Sequence, residues 1–124
     1  MVFVFGSNRS GIHGAGAAYQ AHRFKRAEWG VGEGPTGSCY ALPTKGYNIT
    51  EISLDDVAYN IQTFVIYAQN NPHDNFQVTQ VGCGLGGFTK EQIAPLFIFA
   101  PENCYFDKAW KDLMPLSFQF WGSF

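Results

Sequence analysis

The sequence predicts a compact three-layer α/β domain with a mostly parallel central sheet. Three observations carry this. Short apolar, β-prone runs alternate with helix-patterned stretches, and two of those runs lead directly into glycine-rich loops. The 124 residues fit one ordinary domain, read as 1–124, and contain no linker, repeat or low-complexity segment.

Residues 2–5, Val-Phe-Val-Phe, read as a strand buried on both faces and ended by Gly6. Residues 6–16 form a loop, because Gly6, Gly11, Gly14 and Gly16 fall among Ser and Asn residues that tolerate unusual backbone angles. A helix is expected over residues 15–26, with Ala17, Ala18, Ala21 and Phe24 as its small and apolar surface. Residues 29–37 hold Gly30, Gly32, Gly34, Pro35 and Gly37, which predicts a loop without regular structure. Residues 38–42 read as a strand, stopped by Pro43.

Ser53 and Asp56 open the clearest helix. Its Leu54, Val57, Ile61, Phe64, Val65 and Ala68 share one face, and Asn70, Asn71 and Pro72 end it. Residues 76–81 read as a strand that enters the second glycine loop, residues 82–87. Thr89 and Gln92 make a capping box for a short helix through Ile93, Leu96 and Phe97. Residues 104–106 are the last expected strand, and the aromatic tail, residues 110–124, shows no assignable pattern.

Composition narrows the function classes. Apolar residues make up 46% of the chain, enough for a core without disulfide staples. Only 15% are charged and the net charge is −2, which argues against wrapping nucleic acid by its phosphates. Cys39, Cys83 and Cys104 form neither a metal-binding pair nor an even disulfide framework, so a reduced compartment is expected. The scattered His13, His22 and His73 suggest no metal site, and no cofactor is implied. No leader sequence or membrane-length apolar run is visible, so the expectation is a cytoplasmic protein with no membrane partner.

In a parallel sheet the strand-to-helix loops gather at one edge, which makes the two glycine loops candidates for a single site. Such loops offer backbone N–H groups with few side chains in the way, and a helix N-terminus adds a favourable dipole for phosphate. The chain lacks both the nucleoside-triphosphatase loop and the dinucleotide fingerprint. Asn8 follows the first strand, where its amide would meet ribose hydroxyls or simply close a turn. Lys45 follows Leu42-Pro43-Thr44, and would neutralise phosphate, attack an anomeric carbon or stay solvated. Cys83 lies in the second glycine loop, either packed beneath a phosphate or as a thiolate with His13 as its base. Glu33 is a base or a loop charge. Trp29, Tyr40, Tyr47 and Phe88 are candidates for stacking on an adenine.

Three segments together resemble the macrodomain superfamily, and above all the small macrodomain-like proteins of bacteria and phages. Phe5-Gly6-Ser7-Asn8, with Gly11 and Gly14-Ala15-Gly16-Ala17-Ala18, is similar to its first ligand loop. Leu42-Pro43-Thr44-Lys45 resembles the Pro-Thr-Lys segment of members that remove ADP-ribose from DNA or acidic side chains. Val81-Gly82-Cys83-Gly84-Leu85-Gly86-Gly87 is similar to the loop that wraps the diphosphate.

The resemblance covers roughly Phe3 to Pro95 and implies a macrodomain-like fold that binds ADP-ribose or a related nucleotide. It also implies roles. Asn8, with Gly6 and Ser7 beside it, would meet the distal ribose, and Gly14, Ala15 and Gly16 the ribose and phosphate. Thr44, Gly82 and Cys83 would flank the ligand, and Gly84, Leu85, Gly86 and Gly87 would hold the diphosphate. Lys45 would be the catalytic nucleophile of an ADP-ribosyl glycohydrolase, with an ADP-ribosylated macromolecule as partner. The acidic residue that contacts adenine in the family has no counterpart in so short an N-terminal segment.

Two other readings stand beside this one. The first is a non-catalytic protein that sequesters a nucleotide in a bacterium or phage-infected cell. The second is a structural or interaction protein that kept the fold without the site, with the aromatic tail as a surface for assembly with copies of itself.

Overall fold

The computed structural model describes residues 1–123, so Phe124, the end of the aromatic tail, lies outside the described residues. Six strands form one sheet: β1 (Val2–Asn8), β2 (Gly34–Thr36), β3 (Cys39–Lys45), β4 (Phe76–Val78), β5 (Cys104–Asp107) and β6 (Gln119–Gly122). Their spatial order is β2-β3-β1-β4-β5-β6, and every neighbouring pair is parallel except β2 with β3. Three α-helices, α1 (Gly16–Phe24), α2 (Leu54–Gln69) and α3 (Lys90–Ile93), are joined by 3-10 turns at Tyr47–Ile49, Ala94–Phe97 and Lys108–Leu113. The α/β class and the mostly parallel sheet expected from the sequence are what the chain forms.

Alternation along the central strands explains how both faces are covered. Phe3 and Phe5 of β1, with Cys39 and Ala41 of β3, pack with Ala18 and Ala21 of α1. Val4, Tyr40 and Leu42 point the other way, into the larger core beneath α2. There Phe64 meets Tyr40, Phe76 and Phe97 edge to face at 5.0, 5.4 and 6.3 Å. Small residues on α1 let it lie close to the sheet. Ser53 caps α2 by accepting from the Asp56 N–H, and Thr89 and Gln92 form the reciprocal capping box of α3.

Several boundaries differ from the sequence expectation, each for a local reason. β1 runs through Gly6 and Ser7 to Asn8, because those residues pair with Leu42, Pro43 and Lys45 of β3. Pro43 does not stop β3. β2 pairs only with residues 39–41, so an outer edge of β3 is unpaired at Pro43, where a missing N–H costs little. Residues 34–36, expected to be loop, form a short edge strand whose turn to β3 uses Gly37 at φ +56. β4 ends at Val78 rather than residue 81, and α1 is shorter than the expected residues 15–26.

The unassigned tail folds back as the last parallel strand. Phe118 stacks on Phe106 at 5.5 Å, Trp110 is fully buried, and the Trp121 indole N–H donates to the Val78 carbonyl at 2.9 Å. Ser123 donates to the buried Asp107 carboxylate at 2.9 Å, which also accepts from Gln80 and the Ala109 N–H. Among the described residues, no helix is long and apolar enough to cross a membrane.

Candidate functional site

The C-terminal ends of β1, β3 and β4 lie at one edge of the sheet, and the chain leaves each of them by a turn or loop. A cleft of about 460 Å³ opens there, within the range that holds a small ligand. Its floor and walls come from four places. β1 gives Gly6, Ser7 and Asn8; the entry to α1 gives Gly14, Ala15 and Gly16; β3 gives Thr44 and Lys45; and the second glycine loop gives Gly82, Cys83, Gly84, Leu85 and Gly86. Of the loop residues and Thr44 and Lys45 that the resemblance assigns to the ligand, Gly87 is not among the lining ones. Ile12, Ile49, Thr79 and Gln80 line the cleft without having been singled out by the sequence.

Backbone geometry makes this edge rich in unused donors. α1 begins at Gly16 after Ala15, which gives no side-chain cap, so the orphan N–H groups of its first turn remain available. The second loop curls tightly. Gly82 has φ +76, its carbonyl accepts from the Phe88 N–H at 2.9 Å, and a Cβ on Gly86 would stand 2.7 Å from that carbonyl. Within the curl, the N–H groups of Gly84, Leu85 and Gly86 have no protein acceptor among the described residues. Gly14 and Gly84 differ from the other glycines of the two loops. Neither has positive φ, and a Cβ on either would meet nothing within 4 Å. Backbone strain and packing therefore do not require glycine at these two positions.

The side chains divide into those that face the ligand space and those that build it. The Asn8 amide is engaged with its own loop, donating to the Ile12 carbonyl at 2.8 Å and accepting from the Ile12 N–H at 3.1 Å. Ser7 donates to the Gly32 carbonyl, and Gly30 donates to the Gly11 carbonyl at 2.9 Å. The middle glycine loop thus braces the first one from behind. A Cβ on Gly32 would stand 2.1 Å from the Asn8 carbonyl oxygen, so that contact requires glycine. Glu33 pairs with Arg9 at 3.1 Å, and Arg9 also donates to the buried Asn60 at 3.1 Å. Asn60 in turn donates to the Pro43 carbonyl at 3.0 Å, locking the segment that carries Lys45. A lone Asn on the apolar stripe of α2 was the available signal for this lock.

Lys45 is half-buried at the end of β3, and its ammonium has no acidic partner among the described residues. Cys83 is half-buried, and burial followed by the charge of Glu91 pushes its thiol up to about 11, so it is not a thiolate at neutral pH. His13 does not serve it. The ring is fully buried away from the cleft, packed against Phe5 at 5.4 Å and Trp29 at 6.1 Å, with Nε2 donating to the Glu28 carbonyl at 3.0 Å.

The stacking candidates also lie outside the lining. Tyr40 is buried against Phe64, Phe88 packs on the larger core, and Trp29 sits against His22. Tyr47 is exposed on the turn that carries Ile49. No group of three or more His, Cys, Asp or Glu residues able to hold a metal occurs among the described residues. Compared with family models, with curated proteins and with solved structures, the chain matches none.

Proposed function

We propose that the cleft binds ADP-ribose or a related phosphorylated nucleoside, with the diphosphate held by backbone donors of the two glycine loops. One observation carries this reading. Two glycine-rich strand-to-helix loops and Thr44-Lys45 meet in one cleft, and Gly14 and Gly84 leave open space there without any conformational need to be glycine. Backbone N–H groups bind phosphate oxygens well, because they are fixed by the fold and lose little freedom on binding. Lys45 supplies the positive charge at the lip, and the lining contains no Asp or Glu to oppose an anion.

Bond cleavage, if the cleft performs it, rests on Lys45. The lining offers no carboxylate or imidazole as a general base. An uncharged Lys45 amine would form a bond to the anomeric carbon as the bond from that carbon to the leaving group breaks, the amine proton passing to the departing atom. Water would then release ADP-ribose and restore the amine. The same lining also suits a protein that holds the nucleotide without turnover, which predicts binding with no product on long incubation.

Thermal unfolding with ADP-ribose, ADP, NAD or buffer tests the binding. Ligand at about a hundred times its dissociation constant adds about 2.7 kcal/mol, a rise on the order of 10 °C for a domain this size. A selective rise with ADP-ribose supports the reading, and no rise with any of them removes it. Lys45→Ala is then expected to abolish release of ADP-ribose from a modified substrate while retaining most of the affinity. Turnover unchanged in that variant would exclude Lys45 as nucleophile.

A further inference from the structure

The sheet ends in two outer strands that the chain treats differently. On one side, β2 carries an exposed proline, Pro35, and is preceded by Glu33 in its ion pair with Arg9. Proline and charge are devices that keep an outer strand from pairing with another chain. On the other side, β6 (Gln-Phe-Trp-Gly) contains neither, and no charged side chain occurs from Leu113 to Ser123. Among the described residues β6 pairs with β5 alone. Its far side therefore presents backbone N–H and C=O groups whose complement is one more strand.

The aromatic side chains of this segment are engaged in the fold rather than offered to a partner. Phe118 and Phe120 pack on the larger core, and Trp121 donates to the Val78 carbonyl. They hold β6 in place and leave its backbone as the open surface. Its register on β5 shifts only beyond Phe120, and Gln119 is exposed.

A strand that chose a foreign partner by charge would carry a charge to choose with. An uncharged one meets no like-charge repulsion from its own copy. A two-fold axis perpendicular to the sheet lays β6 antiparallel to that copy, which is the pairing with the better-aligned hydrogen bonds. The rotation keeps each face of the sheet on its own side. Half-buried Phe120 is thereby brought to the face that holds its counterpart, where aromatic pairs across strands are favourable.

We infer that β6 is a self-association edge, through which two copies of the chain join antiparallel and continue the sheet across a two-fold axis. No residue of β6 lines the cleft, so the pairing holds whatever the cleft binds.

Sedimentation equilibrium of the full chain at low ionic strength tests this over a range of concentrations. The parent is expected to pass from one copy to two as concentration rises. Gln119→Lys and Gln119→Glu each bring like charges together across the axis, and each is expected to weaken association by about threefold to fivefold. An equimolar mixture of the two is expected to recover the parent's association, because unlike charges then meet. Pro35→Lys, on the opposite outer strand, is expected to leave association unchanged. Amide hydrogen exchange of the parent needs no substitution: protection of β6 should rise with concentration while that of β2 does not. If a Gln119 variant unfolds earlier than the parent, this exchange pattern decides. A parent that stays a single copy throughout, a dimer indifferent to both Gln119 variants, a mixture no better than its components, or protection that rises at β2 instead would each overturn the role of β6.

Discussion

Gly6 and Gly82 meet across the floor of the cleft: a Cβ on Gly6 would stand 3.3 Å from the Gly82 amide nitrogen and 3.2 Å from Thr44 Oγ1. Gly6 is an ordinary strand residue without positive φ, so its identity is set by space. Its bare Cα lets β1, the end of β3 and the second glycine loop converge, and that convergence creates the cleft.

Gly6→Ala follows as a test of how firmly the loop is seated. The added methyl must push Thr44 or the Gly82 backbone by a few tenths of an ångström, and overpacking of this kind costs about 1–2 kcal/mol. A urea titration should show a lower midpoint with an unchanged slope, and the thermal rise with ADP-ribose should shrink. An unchanged midpoint together with an unchanged rise would mean that the second loop yields freely and is not held by this contact.

Gly14→Ala and Gly84→Ala should behave in the opposite way. Both positions have backbone angles open to alanine and empty space where the methyl would go. Removing glycine at such a position stabilises by about 0.4–1 kcal/mol, through the unfolded chain. Unfolding without ligand should therefore be unchanged or slightly later, while binding of ADP-ribose should weaken sharply because the methyl occupies ligand space. If both variants keep full affinity, the two loops do not approach the ligand, and the proposed binding mode is wrong.

What the sequence made legible was the part written in local pattern. The apolar run at residues 2–5, the N-cap at Ser53, the capping box at Thr89 and the glycine clusters all fix backbone behaviour within a few residues. Long-range consequences were less visible. Pro43 ends a strand by local rules, yet here it lies in β3 beyond the reach of β2. Gly34-Pro35-Thr36 reads as loop because its pairing partner, residues 39–41, shows only after the hairpin closes. The tail hid its strand because β6 gains its partner from β5, and Phe118 stacks on Phe106 only in the folded sheet. At the site, the loops and Lys45 could be found from residue type. Ile12, Ile49, Thr79 and Gln80 could not, since only the folded chain brings them to the cleft. His13 was placed near Cys83 by loop membership alone, whereas Phe5, Trp29 and the Glu28 carbonyl draw it inward.

That buried histidine bounds stability on the acid side. Desolvation lowers its pKa below the ordinary 6.5, outweighing its backbone hydrogen bonds, while His22 lowers it further. Nε2 donates to Glu28, so a second proton would have to enter at Nδ1, which is buried without a partner. The unfolded chain therefore binds that proton more readily than the folded one. The resulting stability is present above about pH 6.5 and is lost as pH falls through the lower folded value.

The thiols set the opposite limb. Burial raises Cys39 and Cys83 to about 11 and Cys104 to about 12 from an ordinary 9.0. Their contribution is full below pH 9 and is lost as pH climbs toward 11–12, because the unfolded thiols ionise first. Urea midpoints measured across this span should form a plateau that falls at both ends. His13→Gln keeps a donor for Glu28 but has no titrating ring, so it should flatten the acid limb and leave the alkaline one intact. An acid limb as steep in His13→Gln as in the parent would show that other groups cause it, and that charging His13 does not oppose the fold.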